Sequence, residues 1–499
     1  MTKNATTTGL LLLFGLAFAF ISSFYGCIPK TGFEALKADK TDFTASSSGD
    51  TLKVVISSNE DWTAAGSQSW LRPNVTNGTA NGQVRMTINV DPNFGDSDRK
   101  GTVEIKGATQ SLTLNVTQGF GNVDISAQQY DIKVIFHVLY NAEEEKRLQA
   151  QNDPTDELPE YYPINSTQLQ EILDKVNDIY KGWPEEPEYR YRDTRYYSDG
   201  ETGYKERPFS NVNLKFSLAT VDPDGKQITP AGILRHEITE KDIPIDDVMS
   251  DTAGGTYYDM AFPIKDYINV YIFPFRPEGD GSTMTLGVAH LPHGTTAHPI
   301  DGLGTLDRRV DYISNYNHCV VINSRAFEPL QQQRLAQGKD TPYKTIAHEL
   351  GHAVGLMHVF AEEIKTVDNS SSLEMAESCL DSDHVDDTFS YNRLNYQKEF
   401  ATQMNNTGNV VNLADQTLMR TLRGRWDCER GNNYLSTNVM DYDWGYGDRF
   451  TKGQTTRMRN VLYYSLNVPG FKVDEPVTSR AEKYAEAVPM VAKCTVKLK

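Results

Sequence analysis

The run His348-Glu349-Leu350-Gly351-His352-Ala353-Val354-Gly355-Leu356-Met357-His358 constrains this chain more than any other stretch of it. On a helix, residues four apart share a face, so His348 and His352 present both imidazoles to one point. Glu349 sits beside them, close enough to work on a water held at that point without being a ligand itself. Gly355 is where the helix must stop, because glycine tolerates the left-handed backbone that swings the chain away. His358 can then approach from outside the helix. Three neutral nitrogen donors with an open fourth position make the donor set of a catalytic zinc site. A structural zinc or a satisfied pair of core histidines would leave Glu349 unexplained.

The rest of the chain must supply the scaffold. At 499 residues it is long enough for two or three domains. Hydrophobic residues make up 38% and charged residues 23%, as in a globular protein with a sizeable core. The formal charge of −18, with no basic cluster to offset it, repels a nucleic-acid duplex, so no nucleic-acid partner is expected. Near the start, Lys3 precedes an apolar run from Gly9 to Ile21 that is too short to span a bilayer comfortably. Residues 1–26 therefore read as a cleaved export signal. Gly26-Cys27 resembles a bacterial lipobox, which makes Cys27 the expected lipidation site and residues 27–50 a polar, lipid-anchored tether. An oxidising compartment makes pairing plausible among Cys319, Cys379, Cys428 and Cys494, with three connectivities open on arithmetic alone.

From 51 to 121, short alternating strands broken by turn residues read as a small β-sandwich. They include Leu52–Ile56, Val84–Val90, Gly101–Ile105 and Ser111–Thr117. The stretch resembles the BACON domain of exported Bacteroidetes proteins, an Ig-like sandwich. The likeness rests on Trp62, Ser69-Trp70-Leu71, Arg99 to Val103 and Val116-Thr117-Gln118. The resemblance implies a contact with glycan. Trp62 and Trp70 could stack on a sugar face, and a core role for both, with the domain as a spacer, is the plainer reading.

From 128 to 470 the pattern is that of an α/β (α+β) domain with a mixed sheet. A strand at Asp131–Tyr140 is followed by a helix over 166–182, with Ser166 or Thr167 as its cap. Strands follow near Asn211–Val221, Tyr267–Phe273 and Met284–Leu291, then the helix that carries His348. His137 reads as a strand residue satisfied by backbone, and His290, His293, His318 and His384 as surface or hydrogen-bonded residues. Residues 471–499 read as a tail with no assigned structure.

The extended histidine motif and Asn438-Val439-Met440-Asp441-Tyr442 resemble the zinc helix and Met-turn of the metzincins, most of all the pappalysin-like group. Further likeness lies in Ile135-Phe136-His137-Val138, Cys379 to Thr388, and Arg449-Phe450-Thr451 with Arg457-Met458. The resemblance implies a zinc-dependent endopeptidase acting on proteins or peptides. In it His348, His352 and His358 hold the metal and Glu349 is general base. Met440 forms the floor, and Tyr442 stabilises the oxyanion. It also implies a Cys379–Cys428 disulfide and a calcium loop at Asp383, Asp387 and Thr388, a solvated acidic turn being the plain alternative. The Leu286–Leu291 strand would pair with an extended substrate. The competing reading is a non-catalytic adhesin or glycan-binding lipoprotein on a protease-like fold. The expected location is the outer membrane through a lipid anchor, on its periplasmic face rather than the cell surface.

Overall fold

A computed structural model of the chain describes residues 36–497, apart from 47–49, 69, 92, 94–97, 120–128, 151–162, 183–210, 278, 280–282, 328–341, 368–369, 381, 407–415, 429–430, 443–444, 446, 471 and 473–481. Two compact units emerge, Met1–Val123 and Asp124–Lys499. Residues 1–26 and Cys27 lie outside the described residues. Among the described residues no helix is long and apolar enough to cross a membrane.

Among the described residues the first unit is built of strands: β1 (Lys37–Ala38), β2 (Asp42–Ala45), β3 (Asp50–Ser58), β4 (Trp62–Gly66), β5 (Leu71–Pro73), β6 (Asn77–Gly78), β7 (Gly82–Val90), β8 (Arg99–Gly107) and β9 (Ser111–Gln118). They form two sheets, ordered β1-β3-β7-β5 and β2-β9-β8-β4-β6. Alternation decides which side chains face inward. Val54 and Ile56 of β3, Val103 and Ile105 of β8, and Leu114 and Val116 of β9 meet in one core shared by both sheets. Trp62 is in that core at 2% exposure, and Gly78 packs on its ring where a Cβ would collide. Trp70 carries the Arg99 guanidinium 4.2 Å from its ring centroid. The expected tether over 27–50 needs correction, because β1 and β2 fall inside it. β2 pairs in parallel with β9, and its Phe43 and Ala45 point into the core by the same alternation.

The second unit is organised by a nine-stranded mixed sheet. Its strands are β10 (Tyr130–Tyr140), β11 (Leu214–Leu218), β12 (Ile233–Glu237), β13 (Tyr267–Phe273), β14 (Thr283–His290), β16 (Val320–Asn323), β17 (Glu362–Val367), β18 (Ser370–Met375) and β22 (Met490–Lys497). Outside it lie the pairs β15 (Val310–Ile313) with β21 (Glu482–Ala485) and β19 (Gly424–Asp427) with β20 (Asn432–Leu435). Spatial order is β11-β10-β13-β16-β14-β22-β18-β17, with β12 also on β10. The strands β11, β10, β13 and β16 run parallel, whereas β14 is antiparallel to β16 and to β22. Tyr267–Phe273 is buried along its whole length, which is why it reads as a continuous apolar run.

Three helices position the site: α1 (Ser166–Lys181), α2 (Pro342–Ala353) and α3 (Lys452–Tyr464). α1 lays Leu169, Leu173, Val176 and Tyr180 into the core, and the Tyr180 hydroxyl donates to Ala347 O of α2 at 3.0 Å. Its cap is Asn165, which accepts from Gln168 N at 3.0 Å, and not Ser166 or Thr167. Ser166 Oγ is drawn away to Ala231 O at 2.8 Å. Within the C-terminal tail, to which the sequence alone assigns no structure, the described residues include two strands. β21 pairs with β15, and β22 is inserted between β14 and β18.

Candidate metal centre

The first two imidazoles come from α2, which is buried from Thr345 to Ala353. Gly355, at φ +93, ends the helix, and a Cβ there would lie 2.4 Å from Val461 Cγ2 of α3. Only glycine meets both demands. Arg457 of α3 clamps the turn, donating from Nε to Gly355 O at 2.7 Å and from a terminal nitrogen to Asp301 O at 2.8 Å. Burial pushes this guanidinium down to about 10, so it still carries its charge at neutral pH.

His358 then enters from outside the helix. The three Nε2 atoms converge, 3.0 Å from His348 to His352 and 3.1 Å from His352 to His358. Each Nδ1 faces away to a fixed partner. His348 Nδ1 lies 2.7 Å from Val439 O, His352 Nδ1 2.8 Å from Leu356 O, and His358 Nδ1 2.7 Å from Glu362 Oε1. A carbonyl can only accept, so the first two rings hold their proton on Nδ1 and point bare Nε2 lone pairs at one another. Burial pushes His348 down to about 3 and the other two well below the usual imidazole range, which favours the neutral, ligating form. Converging lone pairs in a buried pocket repel unless a cation accepts them. These residues therefore fit a zinc ion.

Glu349 completes the electrostatics. It is 0% exposed, and neither carboxylate oxygen has a hydrogen-bond partner among the described residues. Burial raises its carboxyl well above the ordinary range. It reaches its position because Gly287 of β14 has no side chain; a Cβ there would meet Glu349 Cγ and Oε1 at 2.7 Å. A buried carboxylate with nothing to bind destabilises a fold. A neighbouring cation would compensate it.

Met440 is fully buried under α2, where a Cβ on Gly351 would lie 2.6 Å from its Sδ. Its backbone NH donates to Asn438 Oδ1 at 2.8 Å. Tyr442 packs 4.5 Å from His358 and 5.2 Å from His348, ring centroid to ring centroid, with the Arg393 guanidinium 4.1 Å from its ring centroid. Its hydroxyl donates to the backbone carbonyl of Lys493 in β22. The segment is anchored by Asp441, which forms a buried ion pair with Arg425 at 3.3 Å and accepts from Tyr391 and Ser436. Arg425 also donates to Tyr442 O at 3.0 Å.

Cys379 and Cys428 are joined, their Cα atoms 5.6 Å apart across 49 positions of sequence. In the chain-entropy model a closed loop of that size stabilises by roughly 4 kcal/mol. The expected calcium loop is not supported. Asp383 accepts from Val385 N at 2.9 Å, Thr388 Oγ1 donates to Val385 O at 2.8 Å, and Asp387 accepts from Gly453 N at 3.0 Å. Among the described residues no group of three acidic or imidazole ligands gathers there. One oxygen of each aspartate and the Thr388 hydroxyl tie the loop to itself and to the start of α3. His290 and His293 are buried and bonded to Cys319 and Val488 carbonyls. His137 is satisfied by side chains and not by backbone, with Asn269 Oδ1 at 3.1 Å and His236 Nε2 at 3.2 Å.

Glu362, Arg457 and Arg425 support the site and were not singled out for it from sequence. Glu362 holds the outer nitrogen of the last histidine, the place where a carboxylate orients a metal-binding imidazole. The two arginines reach the site only through tertiary packing. A further group, His348, Glu349 and Cys494, also brings its donor atoms within 4.8 Å of one another.

Two family models match the chain. Residues 60–119 match BACON, described as "Putative binding domain, N-terminal", and residues 332–463 match Peptidase_M43, described as pregnancy-associated plasma protein-A. The Peptidase_M43 match and the three-histidine cluster together support a zinc metalloprotease. No curated protein matches the chain. Among solved structures, a Bacteroides ovatus GH5 xyloglucanase in complex with a XXXG heptasaccharide is 19% identical over 28% of this chain and 25% of its own, with a TM-score of 0.17. WR4, a C. elegans MSP family member, is 14% identical over 17% of this chain and 97% of its own, with a TM-score of 0.14. Scores this low carry no argument.

Proposed function

We propose that the second unit is a metzincin-type, pappalysin-like zinc endopeptidase, with Glu349 as general base and Tyr442 as oxyanion donor. The observation that carries this reading is the buried Glu349 carboxylate, without a hydrogen-bond partner, beside three converging imidazole nitrogens. His348, His352 and His358 would hold the zinc, which supplies Lewis acidity to a scissile carbonyl and acidifies water. Glu349 takes the proton of the attacking water at a carboxylate oxygen and returns it to the departing amine. Its desolvated surroundings keep the carboxyl basic enough to accept that proton. Tyr442, held by Arg393 and by the Asp441–Arg425 pair, directs its hydroxyl at a main-chain carbonyl, the group an oxyanion develops from. Met440 under Gly351 serves as the Met-turn floor. β14 supplies main-chain donors and acceptors to an extended peptide.

In the same reading the strand-built first unit is an Ig-like sandwich that acts as a spacer. The chain is exported and anchored through a lipid on Cys27, on the periplasmic side of the outer membrane. Loss of labelled palmitate in Cys27→Ala tests the anchor. For the enzyme, zinc content and casein cleavage are measured on the zinc-loaded chain and on Glu349→Ala. One zinc per chain in both, with cleavage lower by about 10²–10⁴-fold in the variant, is the expected result. Equal cleavage by the two would remove Glu349 from the mechanism, and a chain without zinc would remove the reading.

A further inference from the structure

β14 is the strand that would hold an extended peptide, and a segment of this same chain lies along it. β22 runs antiparallel to β14, from Thr283↔Lys497 to His290↔Val491, with a bulge between Thr285 and Gly287. Pairing of this kind presents a peptide by its main chain. On its other side β22 pairs with β18 through Ser371↔Met490 and Ser372↔Val491. That ladder ends at Val491, and past it the strand meets Tyr442, Glu349 and His348 instead.

Two contacts bracket one peptide bond. Lys493 O accepts from the Tyr442 hydroxyl, the group assigned above to the oxyanion. Cys494 supplies the nitrogen of that bond, and its sulfur, a Glu349 oxygen and a His348 nitrogen lie within 4.8 Å of one another. Opposite Cys494 is Gly287, whose bare Cα lets Glu349 reach this place. The carbonyl to be attacked thus faces the oxyanion donor, and the nitrogen to be protonated belongs to the residue beside the base. A strand that only completed the sheet would give its carbonyls to neighbouring strands.

We infer that the chain is a substrate of its own site and is cut between Lys493 and Cys494. The inference rests on the zinc endopeptidase reading above. Water adds to the carbonyl carbon of Lys493, and the bond from that carbon to Cys494 N breaks. Glu349 carries the proton of the water to the departing nitrogen. The products are a carboxylate on Lys493 and an amine on Cys494, and water is the only other reactant. Site and bond belong to one molecule, so the cut is first order. The pairs of Lys497, Val496, Thr495 and Cys494 with β14 go with the fragment, and Lys493 keeps its place opposite Val288.

The intact mass of the full chain tests this. The chain is stripped of metal with a chelator, zinc is added, and the mass is followed in time. Wild type should lose residues 494–499 in one step. The rate constant should not change when the chain is diluted about tenfold. Glu349→Ala and Glu349→Gln should each bind one zinc and lose the fragment about 10²–10⁴-fold more slowly. Loss at the wild-type rate in both variants, or a cut at another bond, overturns the inference. A rate constant that falls in proportion to dilution overturns cleavage within one molecule. Casein cleavage by a zinc-loaded chain that keeps its full mass overturns the inference and leaves the endopeptidase standing. A chain that binds no zinc, or that cuts neither itself nor casein, sinks that reading and this inference together.

Discussion

The two units bury different things. In the first, the buried polar residues among those described are Ser58, Asn93 and Gln118, all uncharged, set among the aliphatic and aromatic side chains of the core. In the second, Glu349, the three converging histidines, Arg425, Arg457, Arg459 and Lys472 are all buried. Alternating strands organise the described part of the first unit around an apolar core. The second carries charge into its interior at a desolvation cost of several kcal/mol per ion before compensation. Such conflicts between stability and placement mark where a site has been built.

The largest expected effect breaks the comparison if it fails. Arg425 and Asp441 have side chains 0% and 1% exposed, and the pair holds the chain at Tyr442. Arg425→Met removes one partner and leaves a buried carboxylate without its counter-charge, which costs about 3–5 kcal/mol. Denaturant unfolding of the second unit should show this loss, with zinc affinity falling in parallel. A loss under about 1 kcal/mol would mean that water reaches Asp441, and the contrast between the units would collapse at its strongest point.

Acid sharpens the comparison next. All ten histidines lie at or beyond His137, so the first unit has none. Burial, reinforced by the neighbouring His236, pushes His137 down to about 3, against an ordinary value of 6.5. The folded state therefore binds fewer protons than the unfolded one between those values. The stability that neutral His137 allows is fully present above pH 6.5 and is lost as pH falls toward 3. At pH 5 the single group accounts for about 2 kcal/mol, and His290, pushed down to about 3 by burial as well, adds in the same direction. Hydrogen exchange on the full chain at pH 7 and pH 5, corrected for intrinsic rates, should show lower protection in β10 and β14 with β3 and β8 little changed. Equal loss in both units would assign the acid effect to carboxylates.

How much of this could be read from residues alone follows the same division. The helix over His348 and His352, the stop at Gly355 and the return of His358 are local spacing rules, and they appear where the spacing puts them. The strands of the first unit are equally local, each set by two-residue alternation. β22 was illegible because its place depends on pairing with β14, about two hundred residues earlier, and no local pattern encodes that register. The helix cap moved from Ser166 to Asn165 for a similar reason, since Ala231 competes for the serine hydroxyl. Asp383, Asp387 and Thr388 are a cation loop only by the family resemblance, and one oxygen of each aspartate is taken by Val385 N or Gly453 N instead.

The smallest effect sets the same chemical pair in the other unit. Arg72 and Asp91 of the first unit form an ion pair through both guanidinium terminal nitrogens, one of them at 2.6 Å. Their side chains remain 15% and 12% exposed, so water shares the charges. Breaking the pair leaves Asp91 partly hydrated. Arg72→Met should therefore cost about 1 kcal/mol or less, several-fold below Arg425→Met, although the partner lost is the same residue type. The measurement is the unfolding midpoint of the first unit in the full chain, followed by its tryptophan signal or by exchange in β5 and β7. Equal costs for the two variants would show that burial does not set the strength of these pairs. The second unit's charges would then be ordinary structural contacts, and the interior charge around Tyr442 would lose its standing as the mark of a site.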